Sequence, residues 1–135
     1  MDCLFCKIIV GEIPNYTVYE DEHTLAFLDI HPCAKGHTVI VTKKHFADLS
    51  EMSASDWQDT SNGLAGVFSR VREVLNPDGV NLGINNGKAA GQAVGHMHWH
   101  LIPRWQGDGG GSMHSIIRAG EGIDVKEAAK LFGKI

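Results

Sequence analysis

Apolar positions recur along this chain at two periods, and the switches between them mark its elements. Leu4, Phe5, Ile8 and Ile9 follow helical spacing, which predicts a short helix over about residues 3–10, stopped at Gly11. Glu12-Ile13-Pro14 then leads into extended chain. Residues 16–20 and 24–29 are rich in β-formers and flank the polar Asp21-Glu22-His23, a predicted hairpin. Residues 37–42 make a further strand. The period then changes. Trp57, Leu64, Val67, Phe68, Val71, Val74 and Leu75 fall at helical intervals, which predicts one long helix from Ser53 to Leu75 lying over the sheet. Ser53 or Ser55 can cap it, Asp56 and Asp59 suit its positive end, and Asn76-Pro77-Asp78-Gly79 stops it. Gly63 and Gly66 weaken this helix slightly and allow close packing. Residues 80–85 alternate as a strand, and residues 123–131 read as a weak C-terminal helix with Asp124 as its cap. No repeat or domain boundary interrupts the pattern.

The sharpest alternation is His96-Met97-His98-Trp99-His100-Leu101-Ile102. As a strand it puts His96, His98 and His100 on one face and Met97, Trp99 and Leu101 on the other. A helix would scatter the imidazoles among apolar residues, so the strand reading is taken. It makes a row of titratable rings roughly 7 Å apart, backed by a face that can bury.

Composition narrows what such a row can serve. At 135 residues and 43% apolar content the chain fits one domain with a sizeable core. A formal net charge of −4 argues against general nucleic-acid binding. An anionic ligand would need a locally built site of backbone N–H groups and histidines. No apolar run approaches the ~20 residues that span a bilayer, so no membrane association is expected. The Met1-Asp2-Cys3 start has no basic region before an apolar stretch, so no secretory signal is expected. The three cysteines cannot all pair within the chain, which favours a reducing, cytoplasmic setting.

Several stretches carry candidate chemistry. Cys3-Leu4-Phe5-Cys6 reads as half of a zinc site, a redox pair, or two buried thiols. The redox reading is the weakest, because that motif follows a strand and opens a long helix. A zinc site would draw its other ligands from the eight histidines, and His45, at a strand end, suits either a ligand or an exposed polar role. Asp29 reads as a turn residue, and Cys33 as a structural thiol. Residues 86–95 (NGKAAGQAVG) form a loop of small side chains whose N–H groups can approach an anion beside His98 and His100. It is not a Walker loop, since GxxxxGK[ST] does not occur. Four glycines in residues 107–111 read as a mobile lid or a linker. Three chemistries fit the histidine row: metal ligation, nucleophilic catalysis through one imidazole, or hydrogen bonding to phosphate.

Residues 96–102 resemble the His-φ-His-φ-His-φ-φ signature of the histidine triad (HIT) nucleotide-binding proteins. The segments FCKIIVGEIP (5–14), LAFLD (25–29), VIVTKKH (39–45) and INNGKAAGQ (84–92) resemble that family in the same order. The resemblance covers about residues 3–103 and is nearest the small purine nucleoside phosphoramidase-like branch of bacterial type with a zinc site. It implies an α+β fold: an antiparallel sheet of about five strands, one long helix and a short N-terminal one. Residues 1–135 would form a single HIT domain with its core at about 3–103, and a homodimer is implied. His98 would attack the α-phosphorus of a nucleoside phosphoramidate or related purine nucleotide conjugate, forming a nucleotidyl-histidine that water resolves to an AMP- or GMP-type product. His100 would bind a non-bridging oxygen and assist the leaving group. Asp29 would hold the ribose hydroxyls, and Phe5, Ile8, Phe27 and Ile30 would line the base pocket. Asn85 and Gln92 would contact phosphate or leaving group, with backbone donors at Gly91, Gln92, Ala93 and Val94. Cys3, Cys6, His45 and His96 would bind a structural zinc. Two features depart from the family. Ala93 stands where a hydroxyl residue is common, and IPRWQGDGGGSM follows the triad in place of a Trp-Pro-Pro ending. Arg104 leaves room for a dinucleoside polyphosphate substrate, and a nucleotide-binding regulatory role with incidental turnover is the other alternative.

Overall fold

Period-two alternation on five strands gives a sheet whose two faces are covered by different elements. The structure, a computed structural model, describes residues 2–118, 120 and 122–133. Strands β1 (Thr17–Glu20), β2 (Thr24–Leu28), β3 (Thr38–Thr42), β4 (Gly79–Ile84) and β5 (His98–Arg104) form one antiparallel sheet in the order β1-β2-β3-β5-β4. With helices α1 (Leu4–Ile9), α2 (Ala54–Leu75) and α3 (Val125–Phe132) this is the α+β arrangement expected. None of the described helices is long and apolar enough to cross a membrane.

On one face Ala26, Ile40 and Leu101 pack against Val67 and Val71 of α2. That helix starts at Ser53 with a reciprocal cap: Asp56 N–H donates to Ser53 Oγ at 3.1 Å and Ser53 N–H donates to Asp56 Oδ2 at 2.9 Å. It ends where Asn76 turns left-handed at φ 44°. Asp59 faces His23 instead, 3.7 Å away. The two helix glycines do allow close packing. A Cβ on Gly63 would lie 2.8 Å from Thr24 Cβ, and one on Gly66 would run into the Tyr19 ring.

On the other face Leu25, Phe27, Val39 and Val41 form a second apolar cluster with Cys3, Phe5 and Ile8 of the N-terminal segment. Register brings the histidines to this face. Val41 lies opposite His98 and Val39 opposite His100.

The histidine strand begins later and ends later than the alternation predicts. His96 and Met97 precede it, because Met97 N–H donates to Phe46 O at 2.7 Å and the His96 carbonyl accepts from the His98 ring. At its far end β5 runs through Pro103 to Arg104. β3 begins at Thr38 opposite Leu101, so Pro103 has a strand on one side only, where proline is tolerated. β1 carries a bulge between Thr17 and Tyr19. The helix α3 is capped by Asp124 as expected, but none of its side chains is buried.

Candidate active site and metal cluster

The face that carries His98 and His100 opens into a cavity of about 580 Å³. Of the residues expected at a nucleotide site, Phe5, Ile8, Phe27, Asp29, Ile30, Asn85, Gly91, Ala93, Val94, His98 and His100 all line it. Gln92 does not. Its carboxamide is spent on the loop: Oε1 accepts from Gly87 N–H at 2.7 Å, and Nε2 donates to Ala47 O at 2.7 Å and Val94 O at 2.9 Å. Gln92 therefore shapes the turn that presents Gly91, whose φ of 95° suits glycine alone.

The hydrogen bonds sort the imidazoles by tautomer. His98 Nδ1–H donates to the His96 carbonyl at 2.9 Å. In the neutral ring this leaves Nε2 with the lone pair. For His100 the chain of bonds starts at a backbone donor. Cys33 N–H donates to His37 Nδ1 at 3.1 Å, so neutral His37 carries its proton on Nε2. That Nε2–H donates to His100 Nδ1 at 2.9 Å, and His100 is left with Nε2–H as a donor. Burial and then the neighbouring His98 and His37 push the His100 pKa down to about 4, against a weaker opposing pull from Asp29. His100 is thus a neutral donor at neutral pH. Burial lowers His37 as well. Two adjacent rings present a bare nitrogen and an N–H, which is what attack on phosphorus beside a stabilised oxygen needs.

Asp29 makes the expected turn contact and also lines the cavity. Oδ1 accepts from His31 N–H at 2.8 Å, the turn contact, while Oδ2 lies 3.7 Å from His37 Nε2 at the cavity wall. His37 itself was not a candidate from sequence. It lies two residues before Val39, so period two puts it on the histidine face, but only the pairing with β5 reveals the contact. Leu4, Ile13, Pro14, Asn15, Tyr16, Leu28, His31 and Val39 also line the cavity without having been picked out.

His96 belongs to a separate cluster with Cys3, Cys6 and His45. This removes the reading in which three triad histidines share one metal. Cys3 Sγ and Cys6 Sγ stand 3.5 and 3.6 Å from His96 Nδ1, Cys6 Sγ is 3.4 Å from His45 Nδ1, and the two Nδ1 atoms are 3.1 Å apart. Metal bonds of ~2.3 Å to sulfur and ~2.05 Å to nitrogen at tetrahedral angles require S–N and N–N spacings of about 3.5 and 3.3 Å. The donor set therefore fits a tetrahedral ion. His96 Nε2–H donates to Thr42 O at 2.8 Å, which leaves Nδ1 free to ligate.

Arg104 is not available to a phosphate. Nε and Nη2 bind the Asp108 carboxylate at 2.7 and 2.8 Å, and Nη1 donates to Asn81 Oδ1 at 2.7 Å and Gly111 O at 2.5 Å. The Arg104 guanidinium and two backbone N–H groups hold the Asp108 carboxyl well below the usual range. Residues 107–111, expected to be a lid or a linker, are instead tied to the sheet by this fork.

The sequence profile of the HIT domain family matches residues 10–107. The chain belongs to the HIT family. An uncharacterized HIT-like protein of Methanocaldococcus jannaschii is 48% identical over 133 residues, covering 95% of this chain and 96% of that one. The adenosine 5′-monophosphoramidase of Schizosaccharomyces pombe is 38% identical over 104 residues, covering 77% and 75%. A crystal structure of a zinc-bound histidine triad family protein from Mycobacterium smegmatis superposes with a TM-score of 0.70 at 43% identity, covering 81% and 79%.

Proposed function

We propose that this HIT protein is a nucleotidyl hydrolase acting on phosphoramidates or related conjugates of a purine nucleoside monophosphate. The observation that carries the reading is the tautomer pair, with His98 Nε2 bare and His100 Nε2 protonated at one cavity. His98 Nε2 attacks the α-phosphorus and forms a P–N bond, while the bond to the leaving amine breaks and the amine departs with a proton taken up from solvent. His100 Nε2–H steadies a non-bridging oxygen and assists that departure. Backbone N–H groups at Ala93 and Val94 add donors, and Ala93 contributes only its backbone, whereas the expected donors at Gly91 and Gln92 are spent within the loop on Lys88 O at 3.0 Å and Gly87 O at 3.1 Å. Water then attacks the nucleotidyl-histidine, breaks the P–N bond and releases the monophosphate, and His98 is regenerated. Asp29 holds the ribose, Asn85 meets the phosphate, and Phe5, Ile8, Phe27 and Ile30 enclose the base.

Zinc is the ion assigned to Cys3, Cys6, His45 and His96. It would pin α1 to the sheet and takes no part in bond breaking, being filled by four protein ligands. The protein is assigned as a homodimer, a reading supported by exposed Phe68 and Val74 on α2. Turnover of adenosine 5′-phosphoramidate by wild type and His98→Ala tests the function. Loss of turnover in the variant with AMP binding retained is expected. Equal, slow rates in both would instead indicate a nucleotide-binding regulator.

A further inference from the structure

Helix α1 has six residues, too few to persist alone in water. Two different sites hold it. Cys3, as its N-cap, and Cys6 belong to the metal cluster, while Leu4, Phe5 and Ile8 line the nucleotide cavity. Phe5 joins the two sites directly. Its ring meets His96 edge-on at 5.9 Å between centroids, His98 at 4.9 Å and Phe27 at 5.8 Å. A second link runs through the backbone, since the carbonyl of His96 holds the Nδ1–H of His98. An ion that fixes Cys3, Cys6 and His96 therefore also fixes the cavity wall and the orientation of His98. A nucleotide packed against Leu4, Phe5 and Ile8 holds the two cysteines in register for the ion.

We propose that the metal ion and the nucleotide bind this chain with positive, reciprocal coupling, carried by Phe5 and the His96 carbonyl. The proposal rests on the nucleotide reading of the cavity and the zinc reading of the cluster. Linkage requires one factor in both directions: Zn²⁺ tightens AMP by as much as AMP tightens Zn²⁺.

Calorimetric titration of AMP into zinc-loaded and chelator-stripped protein measures one side. Competition for Zn²⁺ against a chromophoric chelator, with and without AMP, measures the other. The expected factor is about tenfold in each direction. Phe5→Leu, which keeps all four ligands, is expected to bind Zn²⁺ and lose most of that factor. Hydrogen exchange on the wild type gives a reading independent of any variant, because the Lys7 and Val10 amides should be slowed by each ligand and most by both. Equal AMP affinity with and without Zn²⁺ would overturn the coupling. So would full retention of the factor in a folded Phe5→Leu, or global unfolding of the stripped chain by circular dichroism. Equal affinities with normal phosphoramidate turnover overturn the coupling alone, whereas absence of both AMP binding and turnover overturns the functional reading with it.

Discussion

Acid should unfold this protein partly through one imidazole of the cavity, His100, and the size of the effect follows from the geometry. His100 is half-buried, faces His98 and His37, and is pushed from 6.5 down to about 4 in the folded chain. Between those two values the unfolded chain takes up a proton that the folded chain refuses. Stability therefore rises with pH across this window, is fully present above about 6.5, and is lost as the pH falls toward 4. A displacement of about 2.5 pH units corresponds to about 3 kcal/mol. His37 and His96 are displaced in the same direction, so the wild-type slope contains their share too. His100→Gln, which keeps a polar group for His37, isolates the His100 part. Urea denaturation from pH 8 to pH 4 should show the wild type losing about 3 kcal/mol more than the variant. The His100 ring proton should titrate in NMR with a midpoint near 4. Parallel stability curves for the two proteins, or a midpoint above the ordinary histidine value, would refute the burial argument.

His37→Asn should lower kcat by roughly tenfold to a hundredfold with little change in KM, because it releases the tautomer of His100 and leaves the base pocket intact; steady-state kinetics reads the split. Gly63→Ala gains about 1 kcal/mol of helix propensity but drives a methyl into Thr24. The net loss should be about 1–2 kcal/mol, lowering Tm by roughly 3–6 °C in a thermal melt. Removing the metal should also lower Tm. At a free ion concentration about a hundredfold above Kd the bound ion contributes about 2.7 kcal/mol, and Cys6→Ser should abolish most of the chelator sensitivity. A Tm indifferent to chelation would contradict the four-ligand assignment.

The periodicity carried most of the fold, because amphipathic strands and one long amphipathic helix declare their buried faces locally. Ser53, Asp56 and Asn76 marked the ends of α2 by side-chain chemistry alone. What escaped was set partly by contacts distant in sequence and partly by local bonds that carry no periodic signal. His37 reaches His100 across 63 residues, and nothing near His37 announces it. Arg104 reads in the sequence as leaving room for a polyphosphate substrate, but the fold places Asn81, Asp108 and Gly111 around it. Gln92 read as a ligand contact, yet its amide completes the turn of its own loop. Alternation places the start of the histidine strand at His96, while the backbone there is already committed to Phe46 and to the His98 ring, so β5 begins at His98.

The central claim is that His98 Nε2 becomes covalently bonded to phosphorus. Rapid acid-free quenching of the protein during incubation with adenosine 5′-phosphoramidate, followed by peptide mass spectrometry, tests it directly. The account predicts one adenylyl group on the peptide that contains residues 96–104, localised to His98 and absent in His98→Ala. Turnover by the wild type with no adduct at any quench time, or an adduct localised to His96 or His100, would contradict it.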